Sequence, residues 1–105
     1  MEEITATELK QRLDQGDDLQ IIDVREQHEF EIGRIPNSNL IPLGEVLNRM
    51  DEIDPNRETV VHCKMGGRSA RAVALLREHG YPQVANLSGG ILAWINEIDP
   101  SLPRY

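Results

Sequence analysis

The stretch Val60-Val61-His62-Cys63-Lys64-Met65-Gly66-Gly67-Arg68-Ser69-Ala70-Arg71 sets one cysteine between the end of an apolar strand and the start of a helix. Thr59 to His62 is short and β-rich, as a buried strand requires. Downstream, Ser69, Ala72, Val73 and Leu76 recur at i, i+3, i+4 and i+7, with Arg71, Arg77 and Glu78 off that stripe. This spacing predicts a helix over Arg68 to His79, stopped by Gly80. Cys63 to Gly67 is then a glycine-bearing loop at the carboxyl end of a strand, where ligands sit in open parallel sheets. A helix N-terminus offers unpaired N–H groups and roughly half a positive charge. Such a setting lowers a cysteine pKa from about 8.5 into the range of ~3.5 to 7.5, and Lys64 and Arg68 act in the same direction. A free cysteine is more commonly a small buried hydrophobe. Here the adjacent Gly66 and Gly67 argue for a tight loop with inward-pointing amides instead.

Working outward, Thr5 and Glu8 form a capping-box pattern, Leu9 and Leu13 lie four apart, and Gly16 can close the helix, which predicts a helix over Ala6 to Gln15. Leu19 to Val24 is a buried strand with Asp23 and Arg25 at its carboxyl end. Gly33, Pro36 and Pro42 leave room for a one-turn helix at Gln27 to Glu31 and a short strand at Asn39 to Ile41. Gly44 to Met50 is expected as a short helix with Val46, Leu47 and Met50 inward. Val84 to Leu87 is another strand, Ser88 to Gly90 a turn, Ile91 to Ile98 a final helix, and Asp99 to Tyr105 a tail across the surface. The alternation predicts one α/β domain over residues 1–105 with three layers, a central, mostly parallel sheet of about five strands carrying helices on both faces.

A chain of 105 residues suffices for one core and is too short for two. Its formal charge of −7 disfavours nucleic acid and anionic bilayers as partners, and no run approaches the ~20 apolar residues of a membrane helix. Against that acidic background Val61 to Gly80 holds Lys64, Arg68, Arg71 and Arg77 with Glu78 as the lone acid, a local basic spot suited to an anion. The single cysteine excludes an internal disulfide and any multi-cysteine zinc site, and a reducing, cytoplasmic compartment is expected.

Three motifs in order resemble the rhodanese-homology domains over nearly the whole chain. Asp23-Val24-Arg25-Glu26, with Glu29-Phe30 and Gly33-Arg34-Ile35, is similar to the first signature of that family. Cys63 to Ser69 is similar to its active-site loop, and Leu87-Ser88-Gly89-Gly90-Ile91 with Trp94 to its closing signature. Arg34, where members commonly carry His, and Ser38, where a small apolar residue is usual, depart from the pattern and bear on substrate choice rather than on the nucleophile. The resemblance implies a sulfurtransferase in which Cys63 attacks the outer sulfur of a donor such as thiosulfate or a persulfide and holds it as a cysteine persulfide. It implies that Lys64, Met65, Gly66, Gly67, Arg68 and Ser69 bind the substrate, their amides cradling the terminal sulfur while Lys64 and Arg68 draw in a small anionic donor. Cyanide, a thiol or a sulfur-carrier protein would collect the sulfur, and neither cofactor nor metal is called for. The tail Trp94 to Tyr105 is similar to the end of rhodanese domains fused behind E1-like adenylyltransferases. That arrangement would bring a cysteine desulfurase, an E1-like adenylyltransferase domain or a ubiquitin-like sulfur carrier as partners; a stand-alone enzyme is the other arrangement.

Two other functions compete. Cysteine phosphatases and arsenate reductases place an arginine six residues after the cysteine, whereas Arg68 lies five after Cys63 and Ser69 follows it. A non-enzymatic binding or sensing module is the second, since fold does not imply function. His28, His62 and His79 lack ligand spacing. Asp23 and Arg25 are expected in a structural ion pair with Glu29 or in hydrogen bonds that fix neighbouring loops. Gly89-Gly90 is expected as a backbone turn, Trp94 as core, and Glu26, Glu29, Glu31 and Asp51 to Asp54 as solvated surface.

Overall fold

The computed structural model describes residues 3–105. Strand β1 (Glu3–Ile4) leads into α1 (Ala6–Asp14), whose start is fixed as the capping box predicts. The Thr5 hydroxyl accepts the Glu8 N–H at 3.1 Å while the Glu8 carboxylate accepts the Thr5 N–H at 2.9 Å. Then follow β2 (Leu19–Asp23), α2 (Gln27–Ile32), β3 (Ser38–Leu40), two short 3-10 helices (Leu43–Glu45 and Leu47–Glu52), β4 (Glu58–His62), α3 (Gly67–Glu78), β5 (Val84–Leu87) and α4 (Gly90–Glu97). No helix among the described residues is long and apolar enough to cross a membrane.

The five strands are all parallel, in the order β1-β5-β4-β2-β3. Adjacent residues on a strand face opposite sides of the sheet, and two cores result. Ile21, Val60, Ala85 and Leu87 pack under Ala6 and Leu9 of α1 and Ile91, Trp94 and Ile95 of α4. Ile22, Val61 and Val84 pack under Ala72, Val73 and Leu76 of α3, with Val46 and Ile53 closing the layer. Asp23 pairs with His62 in register, so β2 and β4 end side by side and deliver Arg25 and Cys63 to the same edge of the sheet.

Four expectations need correction. β1 went unanticipated: two residues carry no readable periodicity, and its pairing with Asn86 and Leu87 of β5 is what defines it. The helix expected over Gly44 to Met50 is instead the two 3-10 helices, with a kink at Arg49 (φ −123°) and with Leu47 turned out to 58 % exposure. Glu29 is not solvated surface; only 6 % of it is exposed. The tail does more than cross the surface. Leu102 and Tyr105 pack on the first core, and the Tyr105 hydroxyl enters the polar network described below.

Candidate active site

Cys63 stands one residue past β4, buried to 1 % exposure, with its sulfur aimed at the head of α3. The loop reverses because Gly66 adopts φ +121°, in the region that favours glycine, which turns its N–H back onto Sγ at 3.1 Å. The Ser69 N–H approaches Sγ at 3.5 Å and the Ser69 hydroxyl at 3.3 Å. Burial pushes the Cys63 thiol up, but the Ser69 hydroxyl and the N–H groups of Ser69, Gly66 and Met65 outweigh it and hold the thiol below its ordinary value. The loop is braced from behind by α4. Ile91 N–H donates to the Cys63 carbonyl at 2.9 Å and Leu92 N–H to the Lys64 carbonyl at 3.2 Å. Gly89-Gly90 is thus more than a turn, since both residues take positive φ and bring the α4 head onto the active-site loop.

The expected loop residues separate by what their side chains touch. Gly66 and Ser69 meet the sulfur, and Gly67 opens α3. The Met65 side chain points outward, 68 % exposed. The Lys64 ammonium sits 4.5 Å above the Tyr105 ring, a cation–π contact that positions the charge without neutralising it. Arg68 is held by Glu29 through a bidentate pair of 2.6 and 3.0 Å. Its charge therefore reaches the mouth screened, and Lys64 is the loop cation outside any ion pair among the described residues. Of the two departures in the first signature, Arg34 stacks on Phe30 at 4.6 Å and the Ser38 hydroxyl bonds the Ile35 carbonyl.

Beneath the loop lies a buried network that the sequence reading only partly anticipated. Arg25, fully buried, pairs with Asp23 at 2.7 Å, not with Glu29, and also donates to the Gly33 carbonyl at 2.7 Å and the Tyr105 hydroxyl at 2.9 Å. The Tyr105 hydroxyl in turn donates to the Glu29 carboxylate at 2.8 Å, so the chain Asp23–Arg25–Tyr105–Glu29–Arg68 runs from the end of β2 to the head of α3. His62 is buried beside it, with Nδ1 3.3 Å from the Cys63 carbonyl and Nε2 3.6 Å from Asp23, and burial holds its pKa down. Asn86, which the sequence reading passed over as strand interior, donates to the Gly66 carbonyl at 3.2 Å and meets the Ser69 hydroxyl at 2.5 Å.

Glu29 carries a pH prediction. Arg68, against an opposing push from burial and with help from the Glu26 N–H and the Tyr105 hydroxyl, holds its carboxyl at about 2 rather than the ordinary 4.5. A carboxyl depressed on folding stabilises fully above its unfolded value, and that stability is lost as pH falls from about 4.5 to about 2. Denaturant titrations across this window should show a shallower acid loss for Glu29→Gln than for the unmodified protein; equal slopes would remove Glu29 as the cause.

A parallel sheet that delivers a lone cysteine to backbone amides at a helix head defines an α/β protein whose candidate site is that cysteine and its loop. More particularly, the chain belongs to the rhodanese-like domain family, whose model matches residues 5–97. It is 40 % identical over 92 residues to a protein of Allochromatium vinosum named sulfurtransferase, covering 88 % of this chain and 86 % of that one. It is 37 % identical over 107 residues to the probable adenylyltransferase/sulfurtransferase MoeZ of Mycobacterium tuberculosis, covering 97 % of this chain but only 26 % of that protein. Among solved structures, a rhodanese-related protein of Thermoplasma volcanium superposes with a TM-score of 0.85 at 32 % identity, over 93 % of this chain and 94 % of the other.

Proposed function

We propose that the protein is a rhodanese-type sulfurtransferase that carries sulfur as a persulfide on Cys63. Relatives that bear the name sulfurtransferase support sulfur transfer in general. The observation that carries the finer reading is the convergence of the Gly66 and Ser69 N–H groups on Cys63 Sγ. Converging N–H donors stabilise a thiolate, and they equally suit the terminal sulfur anion of a persulfide. In the first step the thiolate attacks the outer sulfur of a donor such as thiosulfate; a new S–S bond forms at Cys63, the donor S–S bond breaks, and sulfite leaves with the bonding pair. In the second, an acceptor such as cyanide or a thiol attacks that outer sulfur and the Cys63 thiolate leaves. Two displacements on one nucleophile require ping-pong kinetics. Lys64, raised on the Tyr105 ring, attracts the anionic donor, and Arg68 adds its screened field. The outward Met65 and the similarity to part of MoeZ support a protein acceptor, a ubiquitin-like sulfur carrier presented by an E1-like adenylyltransferase domain, with a cysteine desulfurase as an alternative donor.

Intact mass after incubation with excess thiosulfate tests this reading. The expected result is a gain of one sulfur atom, about 32 Da, that is lost on reduction and absent from Cys63→Ser. No adduct from thiosulfate or from a low-molecular persulfide would overturn it in favour of a binding module or an oxyanion reductase.

A further inference from the structure

The Ser69 hydroxyl has one proton and three acceptors around it: Asn86 Oδ1 at 2.5 Å, the Gly66 carbonyl at 3.2 Å and Cys63 Sγ at 3.3 Å. Ser69, Cys63 and Asn86 are all buried, so the partners of each are chiefly one another and the loop backbone. We propose that Asn86 is a positioning residue for sulfur transfer, an alternative acceptor that takes the Ser69 proton when Cys63 carries sulfur and yields it when Cys63 is a thiolate.

The bookkeeping of protons follows from the distances. While Ser69 donates to Asn86, its oxygen turns lone pairs toward Cys63, which suits a thiol that donates to Ser69 and disfavours a thiolate. A thiolate must draw the Ser69 proton away from Asn86, so the two compete for it. Once the outer sulfur is attached, Sγ is a neutral, weakly accepting atom of an S–S bond and the negative charge resides one atom further out. Ser69 can then return to Asn86 without leaving a buried donor unpaired. Asn86 thereby keeps the resting thiolate less stabilised, and hence more reactive, than Ser69 alone would leave it, and offsets the loss of the Ser69–sulfur bond in the loaded state. The amide Nδ2, bonded to the Gly66 carbonyl, fixes which end of Asn86 faces Ser69. The other charged or titratable groups near Cys63 are His62 of β4, Lys64 of the loop, Arg68 of α3 with Glu29 of α2, the Asp23–Arg25 pair at the end of β2, and Tyr105. None of them shares a hydrogen bond with Asn86, whose side chain bonds Ser69 and the Gly66 carbonyl.

This inference deepens the sulfur-transfer reading and rests on Cys63 as its nucleophile, but its test needs no sulfur donor. The pH dependence of Cys63 alkylation by iodoacetamide reads the thiolate fraction directly. In Asn86→Leu, which removes the competing acceptor, the pKa should fall and the alkylation rate on the acid side of the curve should rise about fivefold, the scale of one redirected hydrogen bond. Asn86→Asp binds the Ser69 proton more firmly and adds negative charge, so the rate there should fall. In a Ser69→Ala background the Asn86→Leu acceleration should vanish. A merely structural Asn86 predicts slower alkylation in both single variants, because a loosened loop loses its amides from the sulfur. Slower or unchanged alkylation in Asn86→Leu, or a rate in Asn86→Asp that does not fall, would overturn the proposal. A missing persulfide in the mass experiment alongside the expected alkylation pattern would instead count against sulfur transfer alone.

Discussion

Sulfur transfer is expected to fall by about four orders of magnitude or more in Cys63→Ser, with the fold intact, as losses of a covalent nucleophile do. Serine occupies the same small buried site, keeps the contact with the Ser69 hydroxyl and receives the same two loop amides. What it lacks is ionisation. The amide ring that holds the Cys63 thiol below its ordinary value cannot bring an alkyl hydroxyl within reach of neutral pH, and a neutral hydroxyl does not displace sulfite from thiosulfate. Steady-state cyanide and thiol assays, paired with a thermal melt to show the variant is folded, check this. A variant that retains activity would remove Cys63 from the chemistry.

Gly90→Ala is expected to lose about 3 kcal/mol of stability and most of the activity together, through strain at a left-handed residue and two broken hydrogen bonds. A Cβ there would meet the Lys64 carbonyl oxygen at 2.4 Å and the Cys63 carbonyl oxygen at 2.7 Å, and both are backbone atoms of the active-site loop that cannot swing aside. The residue also has φ +60°. Relief requires the head of α4 to withdraw, which breaks the bonds from Ile91 and Leu92 to the loop carbonyls and releases the loop that aims Gly66 and Ser69 at the sulfur. A melting temperature lower by roughly 12 °C or more is the corresponding thermal result. Gly44→Ala is the control, since nothing lies within 4 Å of its Cβ position and its φ is not positive. If Gly90→Ala melts like Gly44→Ala, the brace from α4 is unimportant.

The parts legible in the sequence are those written in short-range pattern. The capping box of Thr5 and Glu8, the apolar stripe from Ser69 to Leu76 and the strand–glycine–helix order around Cys63 depend on neighbours within a turn or two, and the structure has all three. What escaped depends on distant partners. Glu29 looks like a surface acid among Glu26 and Glu31 until Arg68, 39 residues away, and Tyr105, 76 away, close on it. Arg25 meets one of its two expectations, a hydrogen bond that fixes the neighbouring loop at the Gly33 carbonyl, while its ion pair forms with Asp23 rather than Glu29. Its partner Asp23 lies only two residues off, but the choice between acids is made by the sheet edge that buries them. Asn86 bears no local mark at all, because its importance comes from facing the α3 head across β4 and β5. The stretch from Leu43 to Glu52 has helical composition but is tightened into 3-10 turns, with only Val46 fully inside and the Tyr81 hydroxyl fastened to the Met50 carbonyl.

The Tyr105 ring beneath Lys64 has a practical corollary for anyone handling the protein. The ring holds the Lys64 ammonium and the hydroxyl joins Arg25 to Glu29, so a fluorinated tyrosine at this one position would place a spectroscopic label against the charged side chains of the Cys63 loop and the network beneath it.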